Sequence, residues 1–358
     1  MAKMRAARMY GYREPLRIDE VPVPEPGPEE ILLKVAACGV CRSDYQLLDG
    51  YFEGPFPVEF PYIPGHEVTG RVAGLGRAVP NSVGYREGDM VAVSPSWGDG
   101  TCRQCREGNE QLCSGTGRWL GFGPPGGFAE YVVVESRHVI RVSEEIAKTP
   151  EFLAPMTDAG MTPYRGMRKL SNTGRLGPNR TVAVTGIGGL GSYAVQYAKL
   201  FGAGATVVAL GRSDDKLNVA RQNGADHGIN VKDKSSGAIQ DELGRLTGRR
   251  AIDAILDCVG SDASISMGFD LLGHEGVLAT VGLMSHRVEH RQFPFVGTEL
   301  TYMGSFWGNY QDLAEVLSLA EAGLVKHNVT KVRLEDINEN LQALGRGDVV
   351  GRQVIVFD

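Results

Sequence analysis

Residues 180–191 read Arg180-Thr-Val-Ala-Val-Thr185-Gly186-Ile-Gly188-Gly189-Leu190-Gly191. After Arg180, the residues Thr181–Thr185 are β-branched or small, as in a strand buried on both faces. They run directly into Gly-x-Gly-x-x-Gly, and a helical stretch, Leu190–Leu200, follows. Glycines at Gly186, Gly188 and Gly191 allow a tight turn, close approach of backbone to a pyrophosphate and close packing of helix on strand. The helix N-terminus then offers free N–H groups and the positive end of its dipole. A strand-to-helix junction is the context in which this glycine pattern signals dinucleotide binding, with Gly186, Gly188, Gly189, Leu190 and Gly191 as contacts.

Downstream, the next apolar run ends Val207-Val-Ala-Leu-Gly211-Arg212-Ser213. A site built for NAD usually ends this strand with an acid that grips the ribose 2′-hydroxyl. Here Gly211 leaves room, and Arg212 and Ser213 suit a 2′-phosphate, which a guanidinium fork matches well. The expectation is a preference for NADP(H) over NAD(H). Further strand candidates are Ala254–Asp257 and Val277–Val281, with a helical stretch at Asp214–Gln222. Such alternation predicts a doubly wound parallel sheet with helices on both faces over 161–297.

Upstream the texture differs. Short β-rich runs such as Glu30–Ala37 and Met90–Ser94 are punctuated by Gly and Pro, and Val21-Pro-Val-Pro-Glu-Pro-Gly-Pro is a stiff extended connector. This predicts an irregular, mostly-β domain over 1–160. The tail, with a helical stretch Gln311–Ala322 and a strand Arg352–Phe357, returns to it, so 298–358 is assigned to the same domain. Two domains suit 358 residues.

The net charge of −6 gives no footprint for nucleic acid or an anionic membrane. No apolar run is long enough to span a bilayer, and the basic start has no apolar stretch behind it. A reducing cytoplasm is therefore expected, where clustered cysteines serve as metal ligands or catalytic thiols. Of the six, Cys102, Cys105 and Cys113 fall within Asp99-Gly-Thr-Cys102-Arg-Gln-Cys105-Arg-Glu-Gly-Asn-Glu-Gln-Leu-Cys113. Three thiolates and an acid at this spacing can close a tetrahedron around zinc. Cys38 and Cys258 read as buried and inert.

Several separated segments together resemble the medium-chain zinc alcohol dehydrogenases. Gly39-Val-Cys41-Arg-Ser43-Asp44 and Gly65-His66-Glu67 are similar to that family's first two catalytic-zinc segments. The lobe at 95–115 resembles its structural-zinc loop in the archaeal form, with Asp99 replacing a cysteine. Gly126-Gly-Phe-Ala-Glu-Tyr131 and Gly351-Arg352-Gln-Val also match. The resemblance implies a GroES-like catalytic domain and a Rossmann domain. It implies two zinc ions per chain, one structural and one catalytic, the latter held by Cys41 and His66 with Glu67 beside them.

Where many members supply a third catalytic cysteine, this chain has Asp158, as in the family's secondary-alcohol enzymes. A carboxylate is an acceptable and harder ligand. The implied chemistry is hydride transfer between a secondary alcohol, or its ketone, and the nicotinamide. Ser43 is the implied proton-relay hydroxyl, and Gln46 stands where many members have a relay histidine. Arg352 resembles a residue on the cofactor pyrophosphate and Thr162 one near the nicotinamide. Asp44 orients its loop, and Trp97 and Trp119 either wall a pocket or pack as core. Relatives are homo-oligomers, dimers or tetramers. Alternatives are a polyol, sugar or aldehyde dehydrogenase of the family, a zinc-free quinone reductase relative, and a zinc-stabilised binding protein.

Overall fold

The computed structural model describes residues 2–54, 58–82, 84–115 and 118–357. The chain forms two compact units, one of Met1–Asp158 with Gly308–Asp358 and one of Ala159–Trp307.

In the second unit, six strands among the described residues lie parallel. Their order across the sheet is His227–Asn230, Thr206–Gly211, Thr181–Thr185, Ile252–Asp257, Leu272–Thr280, Thr301–Gly304. The two central strands, Thr181–Thr185 and Ile252–Asp257, are buried along their whole length, as their β-branched runs require. Helices Gly189–Phe201, Asp214–Gln222, Ser236–Thr247 and Asp262–Leu271 connect successive strands. Ile229, Ile239, Leu243, Ile255, Ile265 and Leu278 are among the buried residues that join helices to sheet. The chain builds outward from Thr181–Thr185 to one side and then resumes on the other with Ile252–Asp257. That reversal is the switch point at which open parallel sheets bind ligands.

The sequence reading ended this domain at 297, but Thr301–Gly304 adds the last strand beside Leu272–Thr280, and the unit runs to Trp307.

The first unit is built on Glu30–Val40, a long strand with two register shifts. The sheet order is Val329–Val332, Arg352–Val356, Glu30–Val40, Glu67–Leu75, Met90–Val93, Val139–Arg141, with Tyr131–Glu135 also pairing to Glu30–Val40. The tail strand Arg352–Val356 lies antiparallel to the end of Glu30–Val40, Gln353 opposite Val40. Ser96–Trp97 pairs with Arg118–Trp119 at the base of the cysteine lobe. Among the described residues no helix is long and apolar enough to cross a membrane.

Candidate active site

Glu30–Val40 ends at Cys41, the N-cap of the helix Arg42–Leu48. The buried carboxylate of Asp44 accepts from the Cys41 N–H at 2.9 Å through Oδ2, and its Oδ1 lies 3.0 Å from His66 Nδ1. One side chain therefore fixes both the Cys41 backbone and the His66 imidazole. His66 follows Gly65, whose φ is +100° and whose added Cβ would lie 2.9 Å from Phe128 N, so only glycine passes there. Asp158 comes from a third stretch, after the 3-10 turn Ala154–Thr157. Its Oδ2 lies 3.4 Å from Cys41 Sγ and 3.3 Å from His66 Nε2.

Ligand atoms of Cys41, His66, Glu67 and Asp158 all lie within 4.8 Å of one another, and all four residues are buried. Glu67 Oε2 accepts from Arg352, while Glu67 Oε1 and Arg352 Nε are buried without a hydrogen-bond partner. Gly39 makes room for this carboxylate, since an added Cβ would lie 1.8 Å from Glu67 Oε2. Burial pushes the Glu67 carboxyl up to about 7 against the opposing pull of Arg352. Burial and then the Asp158 charge raise the Cys41 thiol. For His66, burial pulls the pKa down, but Asp44 and Asp158 outweigh it and the net shift is well upward. Ser43 Oγ sits 3.4 Å from His66 Nε2.

A second cluster gathers Asp99, Cys102, Cys105 and Cys113, again with ligand atoms within 4.8 Å. Cys102 Sγ is 3.5 Å from Cys105 Sγ and 4.0 Å from Cys113 Sγ. The Asp99 carboxylate accepts from the N–H groups of Thr101 and Cys102, which pull its pKa to about 2. The Cys105 and Ser114 N–H groups bring the Cys102 thiol down to about 6. Gly98 is required here because an added Cβ would sit 2.5 Å from Cys105 Sγ.

In the other unit, Gly186 takes φ +84°, Gly188 caps the helix Gly189–Phe201, and an added Cβ on Gly191 would lie 2.1 Å from Gly186 O. Gly189 and Leu190 open the helix, half-exposed. Gly211 ends its strand buried; Arg212 is exposed and unpaired among the described residues. Ser213 caps the helix Asp214–Gln222 without a side-chain capping bond. Thr162 is buried in the helix Met161–Ser171.

Trp97 is core: it is 3% exposed, its Nε1–H donates to Ser94 O at 2.9 Å, and its ring stacks on His138. Trp119 is half-exposed in the lobe-base strand Arg118–Trp119. Against the buried Cys41–His66–Asp158 cluster lies Phe122, 5.1 Å from the His66 ring, with Phe52 behind it. They were missed because they sit in loops without periodicity. Asp257 was also missed: buried at a strand end, it accepts from the N–H groups of Val259 and Gly260 and from Ser264 Oγ, shaping the turn beside the glycine motif.

Residues 27–144 match the alcohol dehydrogenase GroES-like domain and residues 189–322 the zinc-binding dehydrogenase domain. The NAD-dependent alcohol dehydrogenase of Sulfurisphaera tokodaii is 37% identical over 99% of this chain and 100% of its own length. This chain belongs to the zinc-binding alcohol dehydrogenase family. The D-arabinose 1-dehydrogenase (NADP(+)) of Saccharolobus solfataricus is 34% identical over 99% of this chain and 98% of its own length. The crystal structure of the alcohol dehydrogenase from Aeropyrum pernix superposes with a TM-score of 0.91 at 34% identity, covering 99% of this chain and 100% of that one.

The zinc-binding alcohol dehydrogenase assignment makes the chain an oxidoreductase of alcohols that works with zinc and a nicotinamide dinucleotide, and sets aside the binding-protein reading. The buried cluster fits the metal on its own chemistry. Thiol, imidazole and carboxylate are zinc donors, and Glu67 Oε1 is an orphaned acceptor beside them. A cation held there would offset the burial that raises the Cys41 thiol.

Proposed function

We propose that this dehydrogenase interconverts secondary alcohols and ketones, with a catalytic zinc on Cys41, His66 and Asp158 and a structural zinc on Asp99, Cys102, Cys105 and Cys113. The observation that carries the reading is the convergence of three chain-distant donors in one fully buried cluster, two of them oriented by Asp44. Bound zinc supplies Lewis acidity toward the substrate oxygen. Asp44 accepts from His66 Nδ1–H, which leaves the Nε2 lone pair directed into the cluster. Ser43 is the hydroxyl placed to take the substrate proton and hand it outward. With Gln46 in place of a histidine, the onward route is water or the cofactor ribose. The Glu67–Arg352 pair holds a carboxylate beside the metal-ligating groups and leaves one oxygen free to approach them.

NADP(H) is the preferred cofactor in this reading. Gly211 brings no acid to the strand end, Arg212 is unpaired, and the Ser213 hydroxyl has no capping bond. The relevant acid next in sequence, Asp214, is already held by Asn230 Nδ2 at 2.9 Å. The turn Gly186–Gly191 takes the pyrophosphate, and Thr162 and Arg352 serve the nicotinamide and phosphate ends. The protein works as a homo-oligomer in the cytoplasm. What supports the first is an exposed apolar helix, Gln292–Gly297, with Phe293 86% and Val296 59% exposed, next in the chain to the edge strand Thr301–Gly304. What supports the second is six unpaired cysteines.

Elemental analysis with steady-state kinetics tests the reading. Wild type is expected to hold two zincs per chain. Asp158→Ala is expected to hold one and to lose at least about a hundredfold in kcat/KM; two zincs with full activity in that variant would overturn it. The ratio of kcat/KM with NADP+ to that with NAD+ should exceed about ten and fall in Arg212→Ala. A clear NAD+ preference in wild type removes the cofactor part alone.

A further inference from the structure

Asp257 ends the strand Ile252–Asp257 at the switch point, with Thr185 opposite it on one neighbouring strand and Thr280 opposite it on the other. Its carboxylate is fully buried and accepts three hydrogen bonds, from the Val259 N–H at 2.9 Å, the Gly260 N–H at 3.2 Å and Ser264 Oγ at 2.9 Å. Its main-chain carbonyl accepts from the N–H groups of Val281 and Gly282, at 2.9 and 3.3 Å. One residue thereby joins its own turn, the first turn of the helix Asp262–Leu271 and the end of Leu272–Thr280.

The turn Cys258–Gly260 reaches the strand ends on both sides. Cys258 N–H donates to Thr185 O at 2.9 Å, immediately before the glycine turn. A Cβ on Gly186 would collide with Val259 Cγ2, and one on Gly282 with the Val259 carbonyl carbon. Gly260 takes φ +69°, and its carbonyl accepts from the N–H groups of Met284 and Ser285, at 3.1 and 2.9 Å. Burying a carboxylate is costly unless its donors are in place, and a turn needs no acid to close. What the acid adds is one fixed position for three strand ends at once.

We propose that Asp257 is a positioning residue for hydride transfer, acting through the turn Cys258–Gly260 to fix the nicotinamide half of the cofactor without touching it. This rests on the dinucleotide site at Gly186–Gly191 and deepens it. An open parallel sheet takes a dinucleotide across its switch point. The adenosine half belongs to the end of Thr206–Gly211, on one side of Thr181–Thr185. The strand ends on the other side, which remain for the nicotinamide half, are those that Asp257 ties together. Loosening that tie shifts one half and leaves the other anchored. Hydride transfer tolerates little misplacement, since about 1 Å can cost roughly a hundredfold in rate.

Titration calorimetry tests this on metal-loaded wild type, Asp257→Asn and Ser264→Ala. The probes are NADPH and NADH, each with its adenosine fragment, adenosine 2′,5′-bisphosphate or ADP. Asp257→Asn keeps the side-chain volume and sets an NH2 group among donors. It is expected to weaken the cofactor that wild type prefers by about tenfold and the matching fragment by less than about twofold. With 2-propanol as substrate, kcat should fall by about ten- to a hundredfold. Ser264→Ala, which leaves two of the three donors, should move the same readouts in the same direction by smaller factors, and it decides the matter if Asp257→Asn fails to fold. Unchanged cofactor affinity with unchanged kcat overturns the proposal. An equal loss of cofactor and fragment overturns it too, since Asp257 would then serve the fold alone. If wild type oxidises no alcohol, the proposed function fails, and the contrast between cofactor and fragment still reads Asp257.

Discussion

Both oxygens of Asp44 are committed, one to the Cys41 N–H and one to His66 Nδ1, and the residue is 1% exposed. Removing it leaves the imidazole free to turn and the N–H without its acceptor. Asp44→Ala is therefore expected to weaken metal binding at this cluster by about ten- to a hundredfold in chelator competition, with the cysteine lobe unaffected. Equal affinity in the variant would mean that backbone packing alone orients His66. A second residue reports on pH. His327 stacks on Phe152 at 4.9 Å and 6°, and burial lowers its pKa to about 4. The unfolded chain, with an ordinary histidine near 6.5, binds more protons between those values. The contribution of His327 to stability is thus full above about pH 6.5 and is lost as pH falls toward about 4, by up to about 3 kcal/mol. Urea unfolding at pH 7.5 and pH 5 should show this loss in wild type and a smaller one in His327→Phe.

At the scale of elements, the glycine turn and the cysteine lobe are built to tolerances of a few tenths of an ångström. Gly191→Ala drives a Cβ to 2.1 Å from Gly186 O, so the helix Gly189–Phe201 must move off its strand. Cofactor affinity by fluorescence titration should fall at least about tenfold, and unchanged affinity would mean that the turn relaxes freely. Gly98→Ala aims a Cβ at Cys105 Sγ and should cost the lobe its metal in elemental analysis while sparing the other cluster.

These two elements are also the ones that could be read from the chain: fixed glycine spacing and fixed cysteine spacing are local, and each needs one short stretch. The central strands were equally legible because burial on both faces leaves unbroken apolar runs. His227–Asn230 and Thr301–Gly304 were not, since each is only four residues at a sheet edge, with at most one buried, too short to carry a period. Cys41, His66 and Asp158 were linked through family resemblance, because no local pattern joins residues so far apart. The rings of Phe52 and Phe122 and the turn-shaping Asp257 left no signal at all, being fixed by tertiary contact.

For the molecule as a whole, Phe293 and Val296 lie bare on a short helix anchored by neighbouring rings: Phe269 meets Phe295 at 5.7 Å and Tyr302 at 5.5 Å, edge to face. Exposed apolar patches of this kind mark partner surfaces in other proteins, and a second copy is the partner expected here. Light scattering should return a dimer or tetramer for wild type and a smaller species for Phe293→Asp; a monomeric wild type would refute the assembly.

The first unit is interrupted by the second in sequence, and on one side its sheet is continued past Glu30–Val40 by Arg352–Val356. Arg352 in that strand is also the guanidinium that neutralises buried Glu67. On the ribosome, then, Glu67 emerges long before its counter-charge exists. The Rossmann half can finish while the first unit waits, edge open, for Arg352–Val356 to be translated.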